Sequence, residues 1–260
     1  MAVSTLMLQP TAVSEVGLRD NNEDAVFASP RLVAVADGVG GAAAGEIASS
    51  LAILKMQALD KRRLLQPLDR ELNEAVADAN ALISFATFYE PRNAGMATTL
   101  TAVALSNDGH YLVANVGDSR TYLLRERRLR RLTRDDSLVQ ELIDQNLLSE
   151  RDAQQHPQRS VVLRVLDGRE LELPGLRAVQ AHEGDRLLLC SDGVTDYLTD
   201  DQVAEFLLID GTADAARGLV DAALAHGSRD NVSAIVADVV AAPDFGEGWL
   251  DALPLSLRAG

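Results

Sequence analysis

Leu32-Val33-Ala34-Val35-Ala36-Asp37-Gly38-Val39-Gly40-Gly41 is a short apolar run that ends in a carboxylate and a cluster of glycines. The apolar part predicts a buried strand of about five residues, because it is rich in Val and carries no charge. Asp37 follows at the strand end, where the peptide oxygen of Gly38 could join its carboxylate in binding a hard cation. The alternative is a plain Asp-Gly turn, which a single segment of this kind favours. The case for chemistry therefore depends on other aspartates at strand ends.

The composition excludes several classes of protein. The 260 residues allow one large domain or two small ones, and 47% of them are apolar, which is enough for a large core. The net charge of −15 argues against a nucleic-acid partner, since such a surface repels phosphate backbones. The single cysteine, Cys190, lies in an apolar run and is predicted to be a buried thiol.

The chain shows no targeting or membrane segment. Residues 1–13 have no basic start, and no apolar run approaches the ~20 residues of a membrane helix. One cysteine permits no disulfide framework, which fits a reducing compartment. We therefore expect a soluble, cytoplasmic protein without membrane or nucleic-acid partners, and we expect it to be a monomer.

Helical periodicity predicts two helices after the glycines, Gly45 to Asp60 and Leu68 to Phe88. Their core-facing stripes are predicted to be Ile47, Leu51, Leu54 and Ala58 in the first, and Leu72, Val76, Ala79, Ile83 and Ala86 in the second. Near the C-terminus, Thr199 and Thr212 are predicted to cap two further helices.

Strands cluster between these helical regions. Asn107-Asp108-Gly109 predicts a hairpin turn, and a second hairpin is predicted at the Arg-rich connection Arg125 to Arg128. That connection could contact an acidic or phosphorylated partner, although a solvated hairpin tip is the favoured reading. Clustered strands indicate an α+β fold with antiparallel sheets.

Four aspartates border apolar strands: Asp37, Asp118, Asp192 and Asp230. A carboxylate at a buried strand end is costly unless it is paired, and several in one space raise one another's pKa values. Divalent cations relieve this repulsion, and oxygen ligands favour Mg²⁺, Mn²⁺ or Ca²⁺ over Zn²⁺. The four scattered histidines show no ligand spacing, so the sequence favours a hard-cation site made of carboxylates.

Seven short motifs occur in an order that resembles the metal-dependent serine/threonine protein phosphatases of the type 2C (PPM) family, bacterial branch. They are Arg19-Asp20-Asn21-Asn22-Glu23-Asp24, Asp37-Gly38-Val39-Gly40-Gly41, Gly95-Met96-Ala97-Thr98-Thr99, Gly117-Asp118-Ser119-Arg120, His156-Pro157-Gln158-Arg159-Ser160, Ser191-Asp192-Gly193 and Ser228-Arg229-Asp230-Asn231. The resemblance covers residues 11–240. It implies a central sandwich of two antiparallel sheets with helices on both outer faces, a four-layer αββα arrangement.

The resemblance also implies roles for individual residues. Asp37 would bridge two core Mn²⁺ or Mg²⁺ ions, the Gly38 carbonyl would hold the first ion, and Asp192 and Asp230 would complete the second. Asp118, with Asp192, would bind a possible third ion. Supporting residues would be Arg19, which would bind the substrate phosphate, and Glu23 and Asp24, which would orient metal-bound water. Asn231 would support the site from outside the ligand set, and Ser160 would lie in a mobile flap at about 136–164.

Some positions depart from the family pattern. Val39 stands where many eukaryotic members carry a His proposed as general acid, so leaving-group protonation would come from water or another group. Ala97, Glu15 and Asp136 replace a frequent Gly, Asp and His, respectively. The metal ligands are intact, whereas flap behaviour and substrate preference are expected to differ.

The expected function is hydrolysis of phosphoserine and phosphothreonine by a metal-bridging hydroxide at a binuclear site, opposing bacterial Ser/Thr kinases. An alternative is a phosphatase dedicated to one regulator, such as an anti-sigma-factor antagonist. A third possibility is a catalytically dead binding module, which the retained Asp37, Asp192 and Asp230 argue against. The expected organisation is one phosphatase domain over residues 1–240 and a C-terminal tail over 241–260, with phosphorylated proteins as partners.

Overall fold

A computed structural model describes residues 6–39, 44–61, 66–153 and 155–243 of the chain. The strands, in chain order, are β1 (Leu6–Glu15), β2 (Ala25–Ala28), β3 (Leu32–Ala36), β4 (Gly38–Val39), β5 (Ala97–Thr98), β6 (Leu100–Leu105), β7 (His110–Val116), β8 (Arg120–Arg125), β9 (Arg128–Arg131), β10 (Arg177–Gln180), β11 (Arg186–Cys190) and β12 (Val232–Ala241). The helices are α1 (Gly45–Lys61), α2 (Leu68–Tyr89), α3 (Leu138–Asp144), α4 (Glu150–Ala153), α5 (Asp192–Thr195), α6 (Asp200–Leu207) and α7 (Thr212–Ala225).

Two five-stranded antiparallel sheets form the centre of the fold. One sheet has the order β10-β7-β6-β3-β2, and the other has the order β1-β12-β11-β8-β9. The strand pair β4–β5 forms a small separate ladder beside the end of β3. The predicted α+β fold with two antiparallel sheets is therefore confirmed.

Three apolar clusters separate four layers. One lies between the two sheets, a second lies under α1 and α2, and a third lies under α5, α6 and α7. β3 shows why its sequence has no polar face: Val33 and Val35 point between the sheets, whereas Leu32, Ala34 and Ala36 point toward α1 and α2. All five residues of β3 are buried, as the apolar run predicted.

The predicted stripe of the first helix is only partly correct, because Ile47 and Leu51 pack against the core whereas Leu54 and Ala58 are exposed. The residues of α1 that bury against the sheet are offset from the predicted stripe and include Ala48, Ala52, Met56 and Leu59, whereas Leu54 is 52% exposed. Small alanines lie where the helix approaches β3, so close packing rather than residue size decides the face. The stripe of α2 is confirmed, with Leu72, Val76, Ala79 and Ile83 buried and Ala86 partly buried.

One of the two predicted helix caps is confirmed and the other is wrong. Thr199 caps α6 as predicted, in a capping box with Gln202. Thr212 does not cap α7, because Gly211 occupies the N-cap and Thr212 begins the helix. The Thr212 hydroxyl instead hydrogen-bonds the hydroxyl of Thr11 on β1, with 2.8 Å between the oxygens.

The region expected to be a flap lies between β9 and β10 and carries α3 and α4. One antiparallel bridge, between Ser137 and Val162, closes the base of the flap on itself, and another, between Thr98 and Leu166, joins its C-terminal end to the body of the domain. In the described part of the chain, no helix is long and apolar enough to cross a membrane. Most of the expected C-terminal tail, residues 244–260, lies outside the described residues.

Candidate active site

Two aspartates meet at one end of the first sheet. Asp37 follows β3, and Asp24 precedes β2. Because Ala36 and Ala25 are directly paired across these antiparallel strands, the two aspartates continue from neighbouring positions at the same sheet end.

Three further aspartates come from the second sheet. Asp192 follows β11 and begins α5, Asp118 precedes β8, and Asp230 precedes β12. Cys190, the last residue of β11, pairs with the first residue of β8 on one side and with Ala234 of β12 on the other. The pairing register therefore places these three aspartates at one end of the second sheet.

The electrostatics show that the two groups share one space. Burial raises the pKa of Asp37 well above its ordinary value, and the charges of Asp24, Asp192, Asp118 and Asp230 raise it further. Burial and the charge of Asp118 likewise raise the pKa of Asp192. Burial raises the pKa of Asp24 and of Asp118 to about 6 each. Segments far apart in sequence thus converge into one acidic cluster.

The donor set suits a hard divalent cation. All of the side-chain atoms that could bind a metal ion here are carboxylate oxygens. One of them, Asp24 Oδ1, is buried without a hydrogen-bond partner in the described part of the chain. Within the same ranges, however, no three Asp, Glu, His or Cys side chains converge closely enough to enclose a single ion. Ions bound here would therefore draw part of their coordination from backbone carbonyls and water, as hard cations in proteins commonly do.

Two glycines permit the close chain packing that brings the aspartates together. A Cβ on Gly193 would lie 2.0 Å from the carbonyl oxygen of Asn231, so only glycine lets the start of α5 approach the start of β12. A Cβ on Gly38 would lie 2.5 Å from the Gly45 carbonyl and 2.7 Å from that of Glu23. The glycines beside the aspartates in the sequence therefore reflect backbone contacts as well as turns.

Hydroxyl side chains fix the backbone of Asp37. The Asp37 carbonyl accepts hydrogen bonds from the Thr99 amide at 2.8 Å and from the Thr98 hydroxyl at 2.9 Å. The Asp37 amide donates to Thr99 Oγ1 at 3.1 Å, and that hydroxyl is also hydrogen-bonded to Ser119, which follows Asp118. Thr98 and Thr99 therefore tie the two sheets together at the acidic cluster.

Ser191 holds another member of the cluster. Its hydroxyl donates to Asp24 Oδ2 at 2.8 Å and accepts from the Ser233 amide at 3.1 Å. The sequence motifs contain Thr98, Thr99, Ser119 and Ser191, but no role was predicted for these residues from the sequence. The available signal was a hydroxyl residue beside an aspartate, or in a Thr-Thr pair at a strand start, which is too common to interpret without the pairing partners.

Arg19 and Asp230 form an ion pair. Arg19 donates from one terminal nitrogen to Asp230 Oδ2 at 2.6 Å, and the Asn231 amide donates to Asp230 Oδ1 at 2.9 Å. The side chains are 57% and 39% exposed, respectively. Both oxygens of Asp230 are therefore engaged, and the hydrogen bond and charge of Asp230 raise the pKa of Arg19.

Asn231 fastens the loop that carries Arg19. Its side-chain amide nitrogen donates to the carbonyls of Val16 and Asn21, each at 2.9 Å, and its side-chain oxygen accepts from the Glu23 amide at 2.7 Å. The Asn231 side chain thus positions residues 16–24 against the start of β12. Burial and the charge of Glu46 raise the pKa of Glu23.

A cavity of about 660 Å³ opens beside the cluster. Asp118 and Asp192 line it from the sheet side, together with residues of β8 and β9, and residues of α3, α4 and the α5–α6 connection line the rest. Asp136 links the flap base to Asp118, because its Oδ2 accepts from the Gly117 amide at 3.1 Å and its amide donates to the Gly117 carbonyl at 2.9 Å. Ser160 lies on the exposed surface of the flap.

The comparisons with known proteins agree on one family. A family model described as protein phosphatase 2C matches residues 18–226. The serine/threonine protein phosphatase PstP of Mycobacterium tuberculosis is 45% identical over 241 residues, which cover 92% of this chain and 46% of that protein. The chain therefore spans about half the length of this relative.

Two further similarities cover nearly all of the matched proteins. The serine/threonine phosphatase stp of Listeria monocytogenes is 34% identical over 231 residues, which cover 85% of this chain and 91% of that protein. A crystal structure of the catalytic domain of PstP in complex with two manganese ions superposes with a TM-score of 0.85 and 42% identity. This superposition covers 91% of the present chain and 100% of the solved one.

Proposed function

Because the chain belongs to the protein phosphatase 2C family, we propose that it is a metal-dependent protein serine/threonine phosphatase. The observation that carries this proposal is the convergence of aspartates from both sheets: Ser191, which precedes Asp192, donates to Asp24 Oδ2 at 2.8 Å, and Thr99, which bonds the Asp37 amide, is hydrogen-bonded to Ser119, which follows Asp118. The substrates are phosphoproteins, and the enzyme opposes Ser/Thr kinases. A phosphatase dedicated to one regulator is not favoured, because the relatives are named as serine/threonine phosphatases.

The carboxylates are the proposed ligands of two core Mn²⁺ or Mg²⁺ ions. Asp37, the Gly38 carbonyl, Asp192 and Asp230 would hold these ions, and Asp37 would be the ligand that both ions share. Asp118 and Asp192 are the proposed ligands of a third ion. When bound, paired divalent ions supply a nucleophilic water of lowered pKa and neutralise the charge of the transferred phosphoryl group.

Arg19 is the proposed phosphate-binding residue. Its guanidinium presents a planar fork that matches two phosphate oxygens. In the structure the Arg19 guanidinium is paired with the Asp230 carboxylate. To bind the substrate, Arg19 must therefore leave this carboxylate and pair with the phosphate instead. The ion pair keeps Arg19 at the cluster and gives Asp230 a cation partner until a divalent ion takes that place.

The remaining residues position groups around the reaction. Asp24 Oδ1, buried and without a partner, is available to accept a hydrogen bond from water held at the cluster, and Glu23 lies beside it in sequence. Val39 is 37% exposed and cannot transfer a proton, so it does not act as general acid. In this proposal the leaving seryl or threonyl oxygen takes its proton from water or from a group other than residue 39.

Asp192→Asn tests the proposal by removing one charge from the cluster. We expect Mn²⁺-dependent hydrolysis of a phosphothreonine peptide and of a small aryl phosphate to fall by at least about a hundredfold, since the ligand and its charge are both lost. The metal-free variant should melt no lower than the wild type, because the change relieves repulsion. Asp69→Asn, on the exposed first turn of α2, is the control. Near-normal turnover by Asp192→Asn would reject the proposed site.

The monomeric state, the cytoplasmic location and the division into residues 1–240 and 241–260 stay predictions from the sequence. Sedimentation of the purified full chain measures the first of these directly.

A further inference from the structure

The hairpin formed by β8 and β9 carries an unusual concentration of free positive charge. Arg127, Arg128 and Arg130 are exposed, and within the described ranges none of them forms an ion pair or a side-chain hydrogen bond. The protein as a whole has a net charge of −15. We call residues 125–131 the arginine hairpin. Its free guanidinium groups stand out because arginines elsewhere mostly pair with carboxylates, as Arg186 does with Asp238.

The hairpin lies on an open flank of the sandwich. β9 is the last strand of its sheet, and β10 is the last strand of the other sheet on the same side. Side chains connect the two edges: Arg125 donates to the Gln180 carbonyl at 2.7 Å, and Arg177 donates to the Leu132 carbonyl at 3.0 Å. Arg177 is itself exposed and adds to the positive charge of this flank.

The acidic groups close to the hairpin do not pair with its exposed arginines. Helix α6 carries Asp200, Asp201 and Glu205 and packs on the opposite face of β9, through Leu129. Asp185 is 2% exposed and is fully engaged, because it accepts hydrogen bonds from Arg125, Tyr111 and the His182 amide. Within the hairpin itself, Glu126 is the one acidic residue, and it lies at the turn. The face of β9 that carries Arg128 and Arg130 therefore presents unbalanced positive charge to solvent.

The turn of the hairpin is conformationally costly. Glu126 and Arg127 have φ angles of 50° and 62°, and Arg125 pairs with Arg128 around them. A two-residue turn with both residues in the left-handed region normally uses Asn-Gly or Asp-Gly. This chain instead holds a Glu and an Arg there, which places the Arg127 guanidinium at the tip. Strained backbone of this kind is more often found where a side chain has a function.

The arginine hairpin leads into the cavity beside the acidic cluster. Arg131, at the end of β9, lines this cavity together with Asp118 and Asp192. It is fixed there by a hydrogen bond to Gln140 Oε1 at 3.0 Å and by Asp135 at 3.7 Å. Because a strand rises about 3.3 Å per residue, Arg128 lies roughly 10 Å farther from the cavity than Arg131. Arg131 lies on the opposite face of β9 from Arg128 and Arg130, so the exposed positive face begins at the edge of the cavity rather than inside it.

We propose that the arginine hairpin docks an acidic segment of the phosphoprotein substrate, separated from the phosphorylated residue by more than the roughly three positions of extended chain that span from Arg131 to Arg128. The inference rests on the phosphatase activity proposed above and names a class of substrate for it. Charge complementarity carries the argument: a protein of net charge −15 repels acidic chains everywhere except where local positive charge steers them. The free edge of β9 also offers backbone groups with which an extended segment can pair.

Charged residues on an edge strand have a simpler function, which is to prevent sheets from pairing edge to edge. A glutamate fulfils that function as well as an arginine does. Charge reversal therefore separates the two roles, because Arg128→Glu and Arg130→Glu keep the edge charged and remove the attraction for an acidic segment.

The experiment measures kcat and KM of the full chain with Mn²⁺ on paired phosphothreonine peptides. One peptide of each pair carries a run of glutamates about five residues from the phosphothreonine, and the other carries glutamines there; a second pair has the run on the other side. The wild type should show a kcat/KM about tenfold higher for one glutamate peptide at low salt, mainly through KM, and the preference should fall as salt is added.

Arg128→Glu with Arg130→Glu should abolish that preference and leave turnover of a small aryl phosphate unchanged. Arg70→Glu with Arg92→Glu, two exposed reversals on and just after α2, makes the same change in net charge and should keep the preference. Equal kcat/KM for the glutamate and glutamine peptides overturns the inference while the aryl phosphate still reports on the proposed activity. The inference is also overturned if the wild type binds phosphatidylserine vesicles, the double reversal abolishes that binding, and neither protein prefers the glutamate peptides.

Discussion

At the scale of single residues, the site is built from charges that are unfavourable alone and are held in place by their neighbours. Asp230 is the clearest case: its oxygens are satisfied by Arg19 and by the Asn231 amide. Arg19 and Asp230 lie 211 positions apart, so their pairing depends on the packing of the 16–24 loop against β12. The motifs predicted each residue as functional, but no local pattern could predict that the two contact each other.

Asp185 allows a test of a buried charge outside the candidate site. Burial raises its pKa, but hydrogen bonds from Arg125, Tyr111 and the His182 amide outweigh burial and hold the pKa below its ordinary value. Asp185→Asn should lower the free energy of unfolding by about 3 kcal/mol at pH 7, because the partners lose a charged acceptor. Urea unfolding measures this difference.

The pH dependence of the same variant has a definite sign. A carboxyl whose pKa is lower in the folded state stabilises the fold above its unfolded pKa of about 4, and that contribution disappears as the pH falls through the folded pKa. The difference between wild type and Asp185→Asn should therefore shrink below about pH 4. A difference that stayed constant down to pH 3 would show that the charge of Asp185 is not what stabilises the fold.

At the scale of helices and strands, the sequence predicted patterns that depend on local spacing and failed where packing decides. The hairpins at Asn107–Gly109 and Arg125–Arg128 and the buried strand β3 were predicted correctly. The predicted stripe of α1 was wrong at Leu54 and Ala58, because both faces of the helix carry apolar residues and the close approach of its alanines to β3 selects which of them are buried. The short edge strand β10 was missed, since its four residues show neither an apolar run nor a turn signal on both sides.

α6 depends on its N-terminal cap. The Thr199 hydroxyl accepts from the Gln202 amide at 3.3 Å, and the Gln202 side chain accepts from the Thr199 amide at 2.9 Å. Thr199→Ala should lower the free energy of unfolding by about 1 kcal/mol, because the Gln202 amide loses its hydrogen-bond acceptor and the capping box is broken. Thr199→Ser keeps the hydroxyl and should unfold at nearly the wild-type urea concentration; equal losses for Ala and Ser would show that the cap is not the cause.

At the scale of the whole molecule, the two sheets serve to bring together carboxylates that repel one another. The fold and family could be predicted from seven ordered motifs, whereas the arrangement of the cluster could not, because it depends on strand register and on close contacts such as Gly193 with Asn231. The repulsion has a thermodynamic cost in the metal-free protein. Divalent ions should therefore stabilise the fold as well as support hydrolysis.

The stability of the metal-free protein should fall between about pH 4 and pH 7 through this cluster. Asp24 and Asp118 have pKa values of about 6 in the folded state, above their unfolded values, so they favour folding at low pH and lose that contribution as the pH rises through 6. Mn²⁺ should raise the melting temperature by roughly 5–10 °C at pH 7.5 and much less at pH 5, where the ligands hold protons.

Differential scanning calorimetry with EDTA and with saturating Mn²⁺ at both pH values measures this effect. Asp69→Asn, which leaves the cluster unchanged, should behave as the wild type does. An equal Mn²⁺ shift at pH 5 and pH 7.5 would mean that the ion binds elsewhere.

The most direct measurement is calorimetric titration of Mn²⁺ into the metal-free protein at pH 7.5, with the wild type and Asp37→Asn compared side by side. If carboxylates from both sheets hold paired ions, the wild type should bind at least two Mn²⁺ per chain. Asp37→Asn should lose both core sites together, since one side chain is shared between them. Unchanged stoichiometry and affinity in Asp37→Asn, or no binding by the wild type, would contradict the account.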